Sequence, residues 1–252
     1  MIIDPQNIER LIVLGDIHGD FGAFKKGVSL RGPGDLLIFL GDYADRGPDG
    51  LEVIEGLNAL LTRLPDQVIA LKGNHEDYTP SGEPTFVPCT LIDEVKKKRG
   101  SWKSFFPLFS NFVPRLFLSA ILPGKALFIH GGIHGDIQSL DDLANPDSRT
   151  LSSLLWSDPG TGRKSRPGPR GVGELFGTEI SEAVLKELGV KHLIRGHEPR
   201  KAAYGPHIEH EGRVITTSGT SVYGGNAFAL VLDVNDWPKT SEDFVRSVQY
   251  LS

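Results

Sequence analysis

Three short segments of the chain place carboxylates near glycine, and two of them also contain a histidine: GDIHGD at 15–20, GDYADRG at 41–47 and GNHE at 73–76. In the first segment, Asp16 and His18 are separated by a single residue. Alternate residues of an extended backbone share a face, so both side chains point to the same side and can bind one metal ion. In the second segment, Asp42 and Asp45 lie beside Arg46, and like charges this dense favour a positive partner nearby.

Asp16 and His18 follow a short apolar run, and similar residues follow four further runs along the chain. Asp42 follows the second run, Asn74 and His75 follow the third, His130 ends the fourth, and His197 follows a later one. Taken alone, such residues are usually turn, cap, surface or core residues, but five strand ends of this kind are hard to obtain from turn preferences. We therefore expect a cluster of oxygen and imidazole ligands. Without thiolates, this set suits Mn, Fe or Zn better than it suits a structural zinc site.

The elements that position these residues are short apolar runs that read as buried strands, at 11–14, 36–40, 67–71, 126–130, 192–195, 213–217 and 227–234. Between the second and third runs, leucines at helical spacing predict a helix that ends at Pro65. The first 75 residues therefore read as β-α-β-α-β. This order predicts an α/β sheet with its ligand-binding loops at the carboxyl ends of the strands.

Two segments rich in glycine and proline, 77–88 and 157–173, are predicted to be surface loops. A helical insertion is expected between the first loop and the strand at 126, at about 77–125. We expect it to belong to a single domain that spans residues 1–252.

Bulk properties narrow the function classes. A net charge of −5 and a pI near 5.9 argue against a nucleic-acid partner, which usually requires a basic face. The single cysteine, Cys89, cannot form an internal disulfide and is expected to be buried. The chain shows neither a leader pattern nor a membrane-length apolar run, so we expect a cytoplasmic protein without a membrane partner.

The segments GDIHGD, GDYADRG, GNHE, HGG and RGHE, in this order, resemble the calcineurin-like metallophosphoesterases, and within them the PPP-type protein serine/threonine phosphatases. LLWSDP at 154–159, PRGVGELFG at 169–177 and Tyr-Gly-Gly at 223–225 extend the resemblance over about residues 11–225. The resemblance implies a four-layer α/β/β/α sandwich of two mixed β-sheets with flanking helices. A full ordered set of motifs is far more specific than one GDxH.

The resemblance also implies a dinuclear metal site. Its six ligands would be Asp16 and His18 for the first metal, Asp42 as a bridge, and Asn74, His130 and His197 for the second. Two divalent ions can lower the pKa of a shared water and brace the attacking and leaving oxygens, so the implied reaction is direct attack by a metal-bridging hydroxide. Mn is the first ion expected, with Fe and Zn as alternatives.

Further roles follow from the same resemblance. His75 would be the general acid, oriented by Asp45, while Arg46 and Arg170 would hold the phosphate and Tyr223 would lie at the rim. Guanidinium groups match phosphate oxygens in pairs and stay charged, which suits this use of arginine.

The expected function is a phosphoprotein phosphatase acting on phosphoserine or phosphothreonine, and possible activity on phosphotyrosine stays open. The expected partner is a phosphorylated protein or peptide, and a monomer is the default. One alternative is a dinucleoside polyphosphate hydrolase such as a diadenosine tetraphosphatase; another is a catalytically inactive binding scaffold. The segment at 219–223 departs from the eukaryotic PPP pattern, which leaves the rim contact of Tyr223 open.

Overall fold

The computed structural model describes residues 1–251 of the protein. Within them, the strands are β1 Arg10–Leu14, β2 Asp35–Phe39, β3 Val68–Ala70, β4 Ser119–Leu122, β5 Ala126–Ile129, β6 Asp158–Pro159, β7 Arg166–Pro167, β8 Glu174–Phe176, β9 His192–Arg195, β10 His207–Glu209, β11 Val214–Thr216, β12 Phe228–Asp233 and β13 Val248–Tyr250. The α-helices are α1 Phe21–Ser29, α2 Gly50–Arg63, α3 Leu91–Arg99, α4 Trp102–Phe112, α5 Leu140–Ala144, α6 Ser148–Trp156, α7 Thr178–Glu187 and α8 Ser241–Arg246.

The strands form two mixed five-stranded sheets and one small sheet within the described residues. The first sheet has the order β13-β12-β1-β2-β3, in which β1, β2 and β3 are parallel and β12 is antiparallel to β1. The second has the order β10-β11-β9-β5-β4, in which β5, β9 and β11 are parallel. Parallel strands must be joined by crossover connections, which explains why helices cover these sheets.

Alternation along the strands builds the layers. On β1, Leu11 and Val13 pack between the two sheets, whereas Ile12 and Leu14 face the helices on the outer side. On β5, Phe128 likewise packs between the sheets, while its neighbours face the core under α6 and α7. Three buried clusters therefore separate four layers, helix, sheet, sheet and helix. The predicted four-layer α/β/β/α sandwich is confirmed.

The helical insertion takes the form of α3 and α4, which pack against each other and add Phe105, Phe109 and Phe112 to the core beneath the first sheet. That the chain is one domain stays a prediction.

Two local expectations were wrong. The segment 157–173 was predicted to be a loop, but it contains β6 and β7, which pair with β8 in the small sheet. Cys89 is half-buried rather than buried, and its thiol lies 3.3 Å from the Tyr78 hydroxyl. Across residues 1–251, no helix combines the length and the apolar character needed to cross a membrane.

Candidate metal and phosphate site

The predicted site residues converge at the carboxyl ends of parallel strands from both sheets. Asp16, Asp42 and Asn74 follow β1, β2 and β3 of the first sheet, whereas His130 and His197 follow β5 and β9 of the second. All five are at most 7% exposed. Such a meeting of strand ends is where α/β sheets bind ligands.

Distances between side-chain atoms show how close these groups are. His18 Nε2 lies 3.4 Å from Asp42 Oδ2 and 3.8 Å from Asp16 Oδ2. His130 Nε2 lies 3.0 Å from Asn74 Oδ1 and 3.4 Å from Asp42 Oδ1. Asp42 therefore stands between two groups of donors, one with His18 and one with His130.

The two imidazoles are oriented by backbone carbonyls behind them. His18 Nδ1 lies 2.9 Å from the Ala44 carbonyl oxygen, and His130 Nδ1 lies 2.9 Å from that of Leu40. Donation from Nδ1 to these oxygens leaves each Nε2 lone pair facing the carboxylates. A hydrogen bond of this kind sets the tautomer and ring orientation of metal-binding histidines.

The electrostatics of the cluster fit a bound cation. Among the described residues no donor reaches the buried Asp16 Oδ2. Burial raises the pKa of Asp16 to about 7, raises that of Asp42 well above its ordinary value, and lowers that of His18 to about 3. The His18 imidazole is therefore neutral, which is the form that can bind a metal ion. The carboxylates lack a positive partner, which a divalent ion would supply.

His75 and Asp45 form a separate buried pair beside this cluster. His75 Nδ1 lies 2.7 Å from Asp45 Oδ2, and the other oxygen of Asp45 accepts hydrogen bonds from the backbone N–H groups of Thr90 and Leu91. Burial acts to raise the pKa of Asp45, but the hydrogen bond and charge of His75 with these N–H groups hold it below its ordinary value. The ligand atoms of His75, His18 and Asp42 lie within 4.8 Å of one another, so the pair borders the cluster directly.

A cavity of about 460 Å³ opens over the cluster, and Arg46, Arg170 and Tyr223 all line it. The Tyr223 hydroxyl lies 3.3 Å from His18 Nε2, which places the tyrosine beside the cluster. Arg170 Nη1 lies 3.0 Å from Asp158 Oδ2 and 2.7 Å from His197 Nε2. The Arg170 guanidinium therefore occupies His197 Nε2 and the Asp158 carboxylate in this structure.

The backbone of the site is unusual. Five of the proposed functional residues adopt the left-handed region, with φ between 46° and 71°: His18, Asp42, Asp45, Arg46 and His197. This conformation is uncommon for residues with a side chain and is frequent at functional sites. Nothing in the residue types indicated it.

Two glycines let the strand ends approach this closely. A Cβ atom on Gly73 would lie 2.2 Å from Asp42 Oδ1, and one on Gly196 would lie 2.2 Å from Asp16 Oδ1. The glycines that precede Asn74 and His197 are therefore needed for space beside the carboxylates.

Sequence reasoning assigned no role to three residues that support the site. Glu76 is fully buried and accepts hydrogen bonds of 2.9 Å from the backbone N–H groups of Asp42, Tyr43 and Gly73. It follows His75 directly in GNHE, which was the available signal.

Arg195 and Asp158 support the other side of the site. Arg195 is fully buried, and its guanidinium lies 2.7 Å from Asp158 Oδ1 and 2.7 Å from Glu198 Oε2. Asp158 also lies 3.2 Å from His197 Nδ1. Both residues belong to segments already singled out, RGHE and LLWSDP, but a pairing across 37 residues could not be read from them. His134, outside the set of predicted site residues, is buried and lies 2.9 Å from the Thr150 hydroxyl.

Comparisons with known proteins agree with this geometry. Residues 9–201 match the model of the calcineurin-like phosphoesterases. Among solved structures, a protein serine/threonine phosphatase from Saccharomyces cerevisiae with similarity to human phosphatase PP5 is 23% identical, with a TM-score of 0.78 over 99% of this chain and 81% of that one.

Two other solved structures share the fold at lower similarity. A putative diadenosine tetraphosphatase is 21% identical, with a TM-score of 0.53 over 92% of each chain. A cold-active protein-tyrosine phosphatase of a psychrophile, Shewanella sp., is 17% identical, with a TM-score of 0.64 over 97% of this chain and 81% of that one. At these identities the likeness concerns the fold alone.

Proposed function

The chain belongs to the calcineurin-like phosphoesterase family, and from this premise we propose that it is a PPP-type phosphatase for phosphoserine and phosphothreonine in proteins or peptides. One observation carries the proposal: the buried His75–Asp45 hydrogen bond lies at the same cavity that Arg46 and Arg170 line. A seryl or threonyl alkoxide is a poor leaving group. A positioned proton donor beside two phosphate-binding cations is what its release requires.

The residues fit two divalent ions, since Asp42 stands between two groups of buried donors. One ion would be held by Asp16, His18 and Asp42, and the other by Asp42, Asn74, His130 and His197. When bound, such a pair lowers the pKa of a water molecule towards neutrality and stabilises charge on the phosphoryl oxygens. Mn is the ion we propose to test first, with Fe and Zn as alternatives.

The side chains around the metals have separate tasks in this proposal. Arg46 and Arg170 hold the nonbridging phosphate oxygens, after Arg170 has turned away from His197. His75 gives a proton to the seryl oxygen as the P–O bond breaks. Asp45 fixes the orientation of the imidazole, because its carboxylate stays ionised and lies 2.7 Å from His75 Nδ1.

The proposal includes a phosphorylated protein or peptide as the partner. A cytoplasmic location and a monomeric state remain predictions from the sequence. One experiment distinguishes the proposal from its alternatives. These are hydrolysis of dinucleoside polyphosphates, activity on phosphotyrosine and an inactive scaffold.

The test measures phosphate release by protein stripped of metal with a chelator, with and without added Mn. Three substrates are compared: a phosphoserine peptide, the matched phosphotyrosine peptide and diadenosine tetraphosphate. We expect Mn-dependent turnover of the phosphoserine peptide above that of the other two. Cleavage of the dinucleotide alone would overturn the proposal, and absence of all turnover while Mn still raises the melting temperature would favour the scaffold.

A further inference from the structure

The cavity over the cluster is lined by more cations than one phosphate needs. Arg46 and Arg170 are joined there by Arg200 and Lys201, which follow the end of β9. Two carboxylates, Asp42 and Glu198, also line the cavity, so cations outnumber anions there in a protein whose net charge is −5. A local excess of positive charge in a cleft attracts anionic ligands.

These cations differ in whether they already have partners. Lys201 Nζ lies 3.1 Å from Glu209 Oε2 and 3.3 Å from Glu198 Oε2, and Arg170 is bonded to Asp158. The exposed side chain of Arg200, by contrast, has no hydrogen bond or ion pair with the rest of residues 1–251. Its charge is therefore available to a ligand.

Although Arg200 is exposed, its guanidinium lies against an aromatic ring of the site. Its Cζ atom lies 5.5 Å from the centroid of the Tyr223 ring, within the range of a cation–π contact. The Tyr223 ring lies 5.2 Å from the His18 ring, centroid to centroid. Arg200, Tyr223 and His18 thus form a row of contacting side chains from the rim of the cavity to the proposed metal ligands.

The size of the cavity agrees with a ligand larger than one phosphoryl group. Its volume of about 460 Å³ falls in the range of sites for small molecules. Two arginines, Arg46 and Arg170, already suffice to hold the scissile phosphate. Arg200 is a third guanidinium, and a carboxylate or phosphate would match its paired N–H groups.

We propose that Arg200 is a specificity-determining residue that binds a second anionic group carried by the substrate next to the scissile phosphate. This inference rests on the proposed function. The second group is a carboxylate or another phosphate, as in a phosphopeptide with aspartates or a second phosphoserine beside the reacting residue.

The test compares four forms of the Mn-loaded protein: wild type, Arg200→Gln, Arg200→Lys and, as the matched control, Arg63→Gln. Arg63 is exposed near the end of α2 and does not line the cavity. The substrates are three phosphoserine peptides that differ only in the neighbours, which are alanines, aspartates or a second phosphoserine. The readout is the ratio of kcat/KM values between peptides, which a general loss of stability would not change.

We expect the wild type to prefer the anionic peptides about tenfold, the lower end for a hydrogen bond to a charged group. Arg200→Gln should abolish this preference, Arg200→Lys should retain part of it and Arg63→Gln should keep all of it. Preference for only one anionic peptide identifies the source as carboxylate or phosphate. Equal turnover of all three peptides by the wild type, or an undiminished preference in Arg200→Gln, would overturn the proposal.

A binding measurement separates this inference from the proposed function. If no peptide is hydrolysed, the same four proteins are titrated calorimetrically with inorganic phosphate and with pyrophosphate. The affinities show whether Arg200 binds a second anionic group. Weakening of pyrophosphate binding alone, by about tenfold in Arg200→Gln, supports a second anion contact. Equal affinities for pyrophosphate in Arg200→Gln and wild type reject it.

Discussion

The two sheets support their site residues in different ways. In the loops of the first sheet, carboxylates accept hydrogen bonds from backbone N–H groups. Beside the second sheet, a buried arginine pairs with two carboxylates. On the first side, Glu76 and Asp45 hold the loops after β2 and β3. On the second side, Arg195 holds Asp158 and Glu198 beneath His197. Each sheet therefore uses a different kind of support for the residues that it contributes.

Backbone conformation also differs between the two sides. Within residues 1–251, four of the five left-handed functional residues lie on loops of the first sheet: His18, Asp42, Asp45 and Arg46. Buried N–H groups in such loops need acceptors, and Glu76 accepts from Asp42 while Asp45 accepts from Thr90 and Leu91. The second side contributes His130 and the left-handed His197, and its need is to hold His197 in place. A buried ion pair does this, and breaking such a pair is costly.

His75→Asn should have the largest effect, because it removes the proposed proton donor on the first side. We expect kcat for phosphoserine peptides to fall by about 10²- to 10⁴-fold. The fall should be smaller for p-nitrophenyl phosphate, whose leaving group needs little protonation. The control is His207→Asn, at a partly exposed histidine outside the cavity lining. Equal losses on both substrates would contradict the role of His75.

Arg195→Met tests the support on the second side. It leaves the carboxylates of Asp158 and Glu198 without their buried partner, so the free energy of unfolding should fall by about 3–5 kcal/mol. Urea denaturation measures this change. Arg246→Met is the control, because its pair with Glu242 is exposed and should contribute at most about 1 kcal/mol. A loss as small as that of the control would show that the buried pair does not stabilise the second side.

Glu76→Gln tests the support on the first side. The amide keeps one acceptor oxygen for three backbone N–H donors, so at least one buried donor loses its partner. The cost should be about 1–3 kcal/mol, smaller than that of Arg195→Met. Glu242→Gln, at an exposed carboxylate, serves as the control in the same denaturation experiment. If Glu76→Gln cost more than Arg195→Met, the contrast between the two sides would be reversed.

Asp16→Asn should have the smallest effect at pH 4, where the folded protein keeps Asp16 protonated and the amide keeps the shape of the side chain. In metal-free protein the folded state keeps a proton on Asp16 up to its raised pKa of about 7, whereas the unfolded chain loses it near 3.8. The folded state binds more protons in between, so this residue makes stability fall as pH rises from about 4 to about 7. The melting temperatures of wild type and Asp16→Asn are measured across this pH range. Their difference gives the contribution of Asp16 to the pH dependence of stability. An unchanged difference between pH 4 and 8 would contradict the raised pKa.

The β-α-β-α-β order of the first 75 residues was predictable because alternating apolar runs and helical spacing are local signals. Strands β4, β10 and β13 were missed, since each is only three or four residues long and gives a weak periodic signal. The small sheet at 158–176 was read as a loop because its glycines and prolines mask strands of two or three residues. Positions of the candidate site residues followed from strand ends, but their proposed roles came from resemblance.

The sequence by itself determined which chemical groups stand at the strand ends, because Asp16, Asp42, Asn74 and His130 each stand next to a glycine at the end of an apolar run. Only the tertiary structure decided that both sheets deliver these groups to one cavity, and that Arg195 pairs with Asp158 while Arg200 lies against Tyr223. These contacts join residues from separate segments and depend on side-chain direction and left-handed backbone. Both are set by packing between layers, which the order of residue types does not reveal.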